Sequence, residues 1–161
     1  MTSLVSRVLA SVGLSMAVFG CTIQPGKVEE SIKDKFKKDD VEIESIKCPA
    51  DIKLKDGATF ECTGESDLGD EFTVEVKQTD GSGSIKWELQ GRIVEFEEIE
   101  KDLKKDGLPA ELKCGKSKGK FIAVKGTKVK CKGGGQELTL KYKNDEGDAD
   151  VLVDKKVPPP T

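Results

Sequence analysis

The sequence predicts an α+β fold: two tandem repeats, each one helix packed on a mostly antiparallel sheet of about four strands, with one disulfide per repeat. Three observations lead there. Cysteines fall in two pairs, Cys48 with Cys62 and Cys114 with Cys131, each entered by an aliphatic residue two positions earlier (Ile46, Leu112). In each pair a glycine, Gly57 or Gly126, stands five residues before the second cysteine. A charged segment with apolar residues at helical spacing precedes each pair, and period-two alternation follows it. The same order of signals occurring twice marks an internal repeat.

Composition explains why such units need a staple. Of 161 residues, 35% are hydrophobic and 35% charged, so apolar burial per residue is modest. Two cores of about sixty residues each bury too little surface to be comfortable alone, and small scaffolds of that kind are commonly cross-linked. The chain contains no His. That removes the commonest general base near neutral pH, the commonest metal ligand, and every Ser-His or Cys-His nucleophile. Net charge is -3, with acid and base well mixed and Arg present only at Arg7 and Arg92. Phosphate and base recognition lean on the guanidinium fork, so nucleic acid is not an expected partner.

Residues 1–20 read as an address. A short n-region carries Arg7, and an uncharged, largely apolar run follows from Val8 to Gly20. That run is shorter than the roughly 20 residues a spanning helix needs and has the shape of a signal peptide. It ends Val18-Phe19-Gly20-Cys21, which resembles a bacterial lipobox, with Phe19 where a small or hydroxyl residue is usual. The resemblance implies cleavage before Cys21, acylation of that residue, and a lipid anchor in an extracytoplasmic membrane leaflet. With Thr22 rather than Asp next in line, it implies the outer membrane if the bacterium is diderm. The alternative is an ordinary secretory signal with a coincidental cysteine. Five cysteines in an exported chain leave one over, and lipidating Cys21 leaves two pairs. Residues 21–26 then form the lipidated cysteine and a spacer.

The first repeat spans 27–90. Val28, Ile32 and Phe36 make one apolar stripe on a helix that is charged elsewhere, ended by Asp39-Asp40. Val41, Ile43 and Ile46 lead a strand into Cys48-Pro49. Thr59 to Cys62 is a second strand, Gly64 to Asp70 a loop, and Phe72, Val74 and Val76 a third strand. Thr79-Asp80-Gly81-Ser82-Gly83 is a hairpin signal, after which Ile85, Trp87 and Leu89 return as the fourth strand, with Trp87 in the core.

The second repeat spans 91–156. Ile93, Phe96, Ile99 and Leu103 form a helical stripe closed by Asp106-Gly107. Leu112 with Cys114 repeats Ile46 with Cys48, and Gly126 to Cys131 repeats Gly57 to Cys62. Leu138, Leu140 and Tyr142 stand for Phe72, Val74 and Val76, while Val151 and Val153 stand for Ile85 and Trp87. Residues 157–161, V-P-P-P-T, are a Pro-rich tail that cannot extend a sheet.

Because both cysteine pairs recur within a unit, the natural pairing is Cys48–Cys62 and Cys114–Cys131. Each closes a loop of about 15 residues, worth roughly 3 kcal/mol on the chain-entropy account. A four-thiol metal site is the rival. Its spacings are far from those of zinc motifs, and exported thiols are ordinarily oxidised. No metal and no cofactor are expected.

The elements I-K-C-P, D-G-A-T-F-E-C and V-K-Q-T-D-G-S-G-S-I-K-W resemble the bacterial domain-of-unknown-function family 4333 over Val28 to Leu89. The resemblance implies a small exported or lipid-anchored domain and brings no catalytic residues. In the second repeat Gly115 replaces the Pro and Val129 the Phe.

One surface stands out. Lys113 to Lys132 contains eight Lys and no acidic residue. Strand alternation turns Lys128, Lys130 and Lys132 away from Val129 and Cys131, and Lys116, Lys118 and Lys120 crowd the preceding loop. These six form a candidate patch for an anionic envelope component or an acidic protein. The bland alternative is a solvated face that discourages edge aggregation. Gly115-Lys116-Ser117-Lys118-Gly119-Lys120 lacks phosphate-loop spacing, and the acidic clusters at 65–71 and 145–154 lack the ligand order of a calcium loop. The expected function is a non-enzymatic binding or structural module of the bacterial cell envelope, anchored to the membrane. The alternative is a proteinaceous inhibitor or regulator of an extracytoplasmic enzyme.

Overall fold

The computed structural model describes residues 22–116 and 119–156. Among them are two helices and twelve strands. The proposed signal peptide with Cys21, the residue Lys118 and the 157–161 tail lie outside the described residues.

In the first half, β1 (Thr22–Ile23) leads into α1 (Pro25–Lys38), followed by β2 (Ile43–Lys47), β3 (Ile52–Lys53), β4 (Thr59–Ser66), β5 (Glu71–Gln78) and β6 (Ile85–Gln90). In the second half, β7 (Arg92–Glu95) leads into α2 (Phe96–Lys105), followed by β8 (Lys113–Cys114), β9 (Lys120–Ala123), β10 (Lys128–Gly133), β11 (Gln136–Tyr142) and β12 (Ala149–Lys156). One four-stranded sheet runs β2-β4-β5-β6 and the other β8-β10-β11-β12, both antiparallel throughout. In each half the strand before the helix pairs with a short strand inside the cystine loop, β1 with β3 and β7 with β9.

The helices form for reasons written in the sequence. Pro25 opens α1, where a missing N–H costs nothing, and Lys35, Lys37 and Lys38 sit in its last turn, complementing the dipole. Val28, Ile32 and Phe36 are its buried residues. Glu97 and Glu98 occupy the first turn of α2 and Lys104 and Lys105 its last. Both helices end alike: the residue after the cap takes positive φ, Asp40 at 61° and Gly107 at 86°. The next N–H then reaches back into the helix, Val41 to the Phe36 carbonyl and Leu108 to that of Leu103.

Both disulfides are present, Cys48–Cys62 closing 14 residues and Cys114–Cys131 closing 17. Cys62, Cys114 and Cys131 are fully buried. Each helix also holds the first cysteine of its pair. The Cys48 N–H donates to Glu29 Oε1 at 2.9 Å, and the Cys114 N–H to Glu100 Oε1 at 3.0 Å.

The structure corrects the expected elements in three places. Ile93 belongs to β7, outside α2, and is 36% exposed; the β-branched run Arg92-Ile93-Val94-Glu95 pairs with β9, a strand expected as loop. The expected loop from Gly64 is strand to Ser66, and the turn is Asp67 to Asp70, held by the Asp70 N–H on Ser66 Oγ at 3.1 Å. Third, the correspondence along the last two strands moves by two residues. Cys62 faces Val74 whereas Cys131 faces Leu138, so Leu138 answers to Val74 and Leu140 to Val76. Likewise Trp87 faces Val76 while Val151 faces Leu140, so Val151 and Val153 occupy the places of Trp87 and Leu89. The tight Gly134-Gly135 turn shortens the second hairpin.

Two apolar cores result, and they are not segregated by sequence. The first gathers Ile32, Phe36, Ile46, Phe72, Val74 and Val76, together with Ile122 and Val124 from the second half. The second gathers Phe96, Leu103, Phe121, Leu138 and Tyr142, and Leu68 from the β4–β5 turn packs against it. A parallel bridge between Val41 and Lys120 adds a backbone tie across the halves.

Candidate functional site

The lysine face is built by strand β10 and its neighbours. Along Lys128 to Gly133 exposure alternates, with Val129 and Cys131 in the core and Lys128, Lys130 and Lys132 outside. The register then decides what each ammonium meets. Lys128 lies opposite Lys141, Lys130 opposite Thr139, and Lys132 opposite Glu137 on one side and Lys113 on the other.

These lysines differ in their partners. Lys132 Nζ pairs with Glu137 at 2.9 Å, and Lys113 Nζ with Glu100 at 2.7 Å. Lys128, Lys130 and Lys141 enter no ion pair among the described residues. Like charges directly opposite each other destabilise a sheet; Lys128 faces Lys141, whose other cross-strand neighbour, Asp150, is paired with Lys143 at 3.0 Å.

Of the six lysines singled out in the sequence, the structure brings Lys128 and Lys130 together with free ammonium groups. Lys132 joins them on the face but is neutralised. Lys116 and Lys120 are engaged elsewhere. Lys116 Nζ lies 3.0 Å from Asp67 Oδ2 and 3.0 Å from Glu42 Oε2, bridging the first half to the second. The hydrogen bonds that the Lys116 ammonium donates, first to Asp67 and then to Glu42, raise its pKa. The Asp67 side chain is only 5% exposed, and its other oxygen, Oδ1, is buried without a hydrogen-bond partner. Lys120 pairs with Glu95 across the β7–β9 ribbon at 3.4 Å. Sequence reading missed Lys141, whose relevance depends on register, and missed the Asp67–Lys116 junction, which depends on how the halves pack.

Other surfaces offer less chemistry. An open groove of about 900 Å³ beside α1 and β6 is lined by Ile85, Trp87 and Ile93 together with Lys27, Glu30 and Asp34, charges of both signs. Among the described residues no cluster of Cys, Asp and Glu is arranged to hold a metal ion, and no helix is long and apolar enough to cross a membrane. The lysine face can attract and orient anions.

Comparison with known proteins adds one match. Residues 9–83, just under half of the chain, match the profile of a domain of unknown function (DUF4333). The match ends within the β5–β6 hairpin, before the second half begins. No curated protein and no solved structure matches the chain.

Proposed function

We propose that the chain is an extracytoplasmic lipoprotein anchored through Cys21, a non-enzymatic binding module of the bacterial cell envelope that engages an anionic partner through the second sheet. The observation that carries this reading is Lys128 facing Lys141, with Lys130 beside them and none of the three in an ion pair among the described residues. Three exposed, strongly hydrated ammonium groups can attract an anionic surface at a distance without being desolvated. They supply a field that reaches about 8 Å at physiological ionic strength and speeds encounter with an oppositely charged surface.

We further infer that the two halves are copies of one unit. The shared strand order, the cystine at the same place, and the helix glutamate on the first cysteine's N–H support this. On that reading the conserved frame is structural, and function resides where the copies diverge: Glu61 of the first corresponds to Lys130 of the second.

Two measurements test the reading. Intact mass of the membrane-extracted protein should show a diacyl or triacyl increment on Cys21 and no free thiol; an unmodified Cys21 sinks the anchor. Reversal of Lys128, Lys130 and Lys141 to Glu should abolish retention on an immobilised polyanion at low salt. Unchanged retention removes the lysine face from consideration.

A further inference from the structure

We propose that the lysine face of the second sheet docks on the outer face of the first sheet of another copy of this chain. The inference rests on the anion-binding reading of Lys128, Lys130 and Lys141 and names the partner. What motivates it is the opposite face of the comparison. On the first sheet the register sets Glu61 opposite Glu75, and Glu75 opposite Glu88. All three are exposed. Neighbouring strands lie about 4.8 Å apart, so three carboxylates stand in one row across β4, β5 and β6. None of them enters an ion pair among the described residues.

Such a row is unfavourable in an isolated sheet for the same reason that Lys128 against Lys141 is. A face selected only for solubility intersperses its signs, as Lys132 and Glu137 do. Here charges are sorted by row: in the row next to the glutamates, Lys77 faces Lys86. The matching positions of the second sheet, fixed by the cystines and the register, are Lys130, Thr139 and Leu152. Of these three places, one carries opposite sign in the two sheets, Glu61 against Lys130, while Thr139 and Leu152 leave the rest of the second row without acid.

The two faces together select among partners. A lipid surface or anionic polymer relieves the lysines and leaves the glutamate row unexplained. A divalent cation does the reverse, and no cluster among the described residues is arranged to hold one. A second copy relieves both. Because the two faces belong to different sheets, either two molecules satisfy each other's faces in a closed two-fold pair, or successive molecules add head to tail through heterologous contacts. Contact between exposed charges is also salt-sensitive.

The test uses the full chain in a nonionic detergent, followed by sedimentation velocity at about 20 and about 500 mM salt, where screening lengths differ severalfold. The wild type should associate at low salt and dissociate at high salt. Lys128→Glu with Lys130→Glu, and separately Glu61→Lys with Glu75→Lys, should each weaken association by about tenfold or more. Mixed in equal amounts, the two variants should associate again, because one then carries two acidic faces and the other two basic faces. A wild type that is monomeric at both salts, or a mixture that stays monomeric, overturns the proposal. Retention on dextran-sulfate resin separates the two levels. A monomeric wild type that is retained, and that Lys128→Glu with Lys130→Glu releases, refutes self-docking alone. A wild type that is not retained refutes the lysine face itself.

Discussion

In the first half α1 runs 14 residues and lays Phe36 between Phe72 and Trp87, at ring separations of 5.7 and 5.4 Å, so the helix reaches the edge strand β6. In the second half α2 stops after 10 residues, and on the matching edge strand β12 Val151 and Val153 stay 45% and 65% exposed. The second core is filled differently. Phe96 stacks on Phe121 at 4.7 Å, and Tyr142 meets the same ring edge-on at 5.9 Å. At the place of Tyr142, where the β5 terminus receives the returning turn, the first half has Gln78. Its Nε2–H donates to the Lys53 carbonyl and its Oε1 accepts from the Lys55 N–H, both at 2.9 Å, so an amide pins the cystine loop. Strand order and cystine position are thus compatible with two quite different fillings, and helix length decides how much of the sheet is covered.

Single chromophores make the contrast measurable, since Trp87 is the only Trp and Tyr142 the only Tyr. The largest effect should come from Phe36→Ala, which removes the ring joining helix to both strands. A loss of about 3–5 kcal/mol is expected in urea unfolding followed by Trp87 fluorescence. A loss below about 1 kcal/mol would mean that α1 is not the lid of the first core. Ile122→Ala should come next, at roughly 2–5 kcal/mol. Although Ile122 belongs to the second half, it should lower the midpoint read by Trp87, because its side chain lies in the first core. An effect confined to Tyr142 would separate the halves.

Tyr142 itself gives the third test. Burial pushes its pKa from 10.0 up to about 12. The unfolded chain therefore ionises first, and the associated stability is complete below pH 10 and is lost as pH rises towards 12. The loss should approach about 2–3 kcal/mol. Absorbance of the phenolate should lag behind free tyrosine, and Tyr142→Phe should flatten this part of the stability profile. The smallest effect concerns the helix ends. Asp40 bears at φ 61° the conformation that Gly107 takes freely at 86°, so Asp40→Gly should stabilise the first half by about 0.5–1 kcal/mol. A destabilising outcome would show that the two caps are not equivalent.

Much of this architecture was legible because it depends on local periodicity. Val28, Ile32 and Phe36 declared one helix face, alternation declared the strands, and the paired cysteines declared the staples. What escaped was whatever depends on a partner distant in sequence. Arg92-Ile93-Val94-Glu95 joins smoothly to Phe96, so a helical stripe absorbed it, while its strand partner Lys120–Ala123 was hidden in a Lys- and Gly-rich stretch. Matching by apolar letters alone put the later strands two residues out of step, since only the cross-strand partners of Cys62 and Cys131 fix that alignment. The lysine face shows the same division. Alternation placed Lys128 and Lys130 outside, but Lys141 became part of the face only through register, and Lys116 left it only through Asp67 and Glu42.

The sharing of Ile122 and Val124 also bears on the order in which the chain can acquire structure as it is synthesised. A chain threaded out from its N-terminus delivers Cys48 and Cys62 long before it delivers β9. During that interval the first cystine can form over a core that still lacks two of its buried side chains. The first core is therefore complete only once residues through Val124 are available to it.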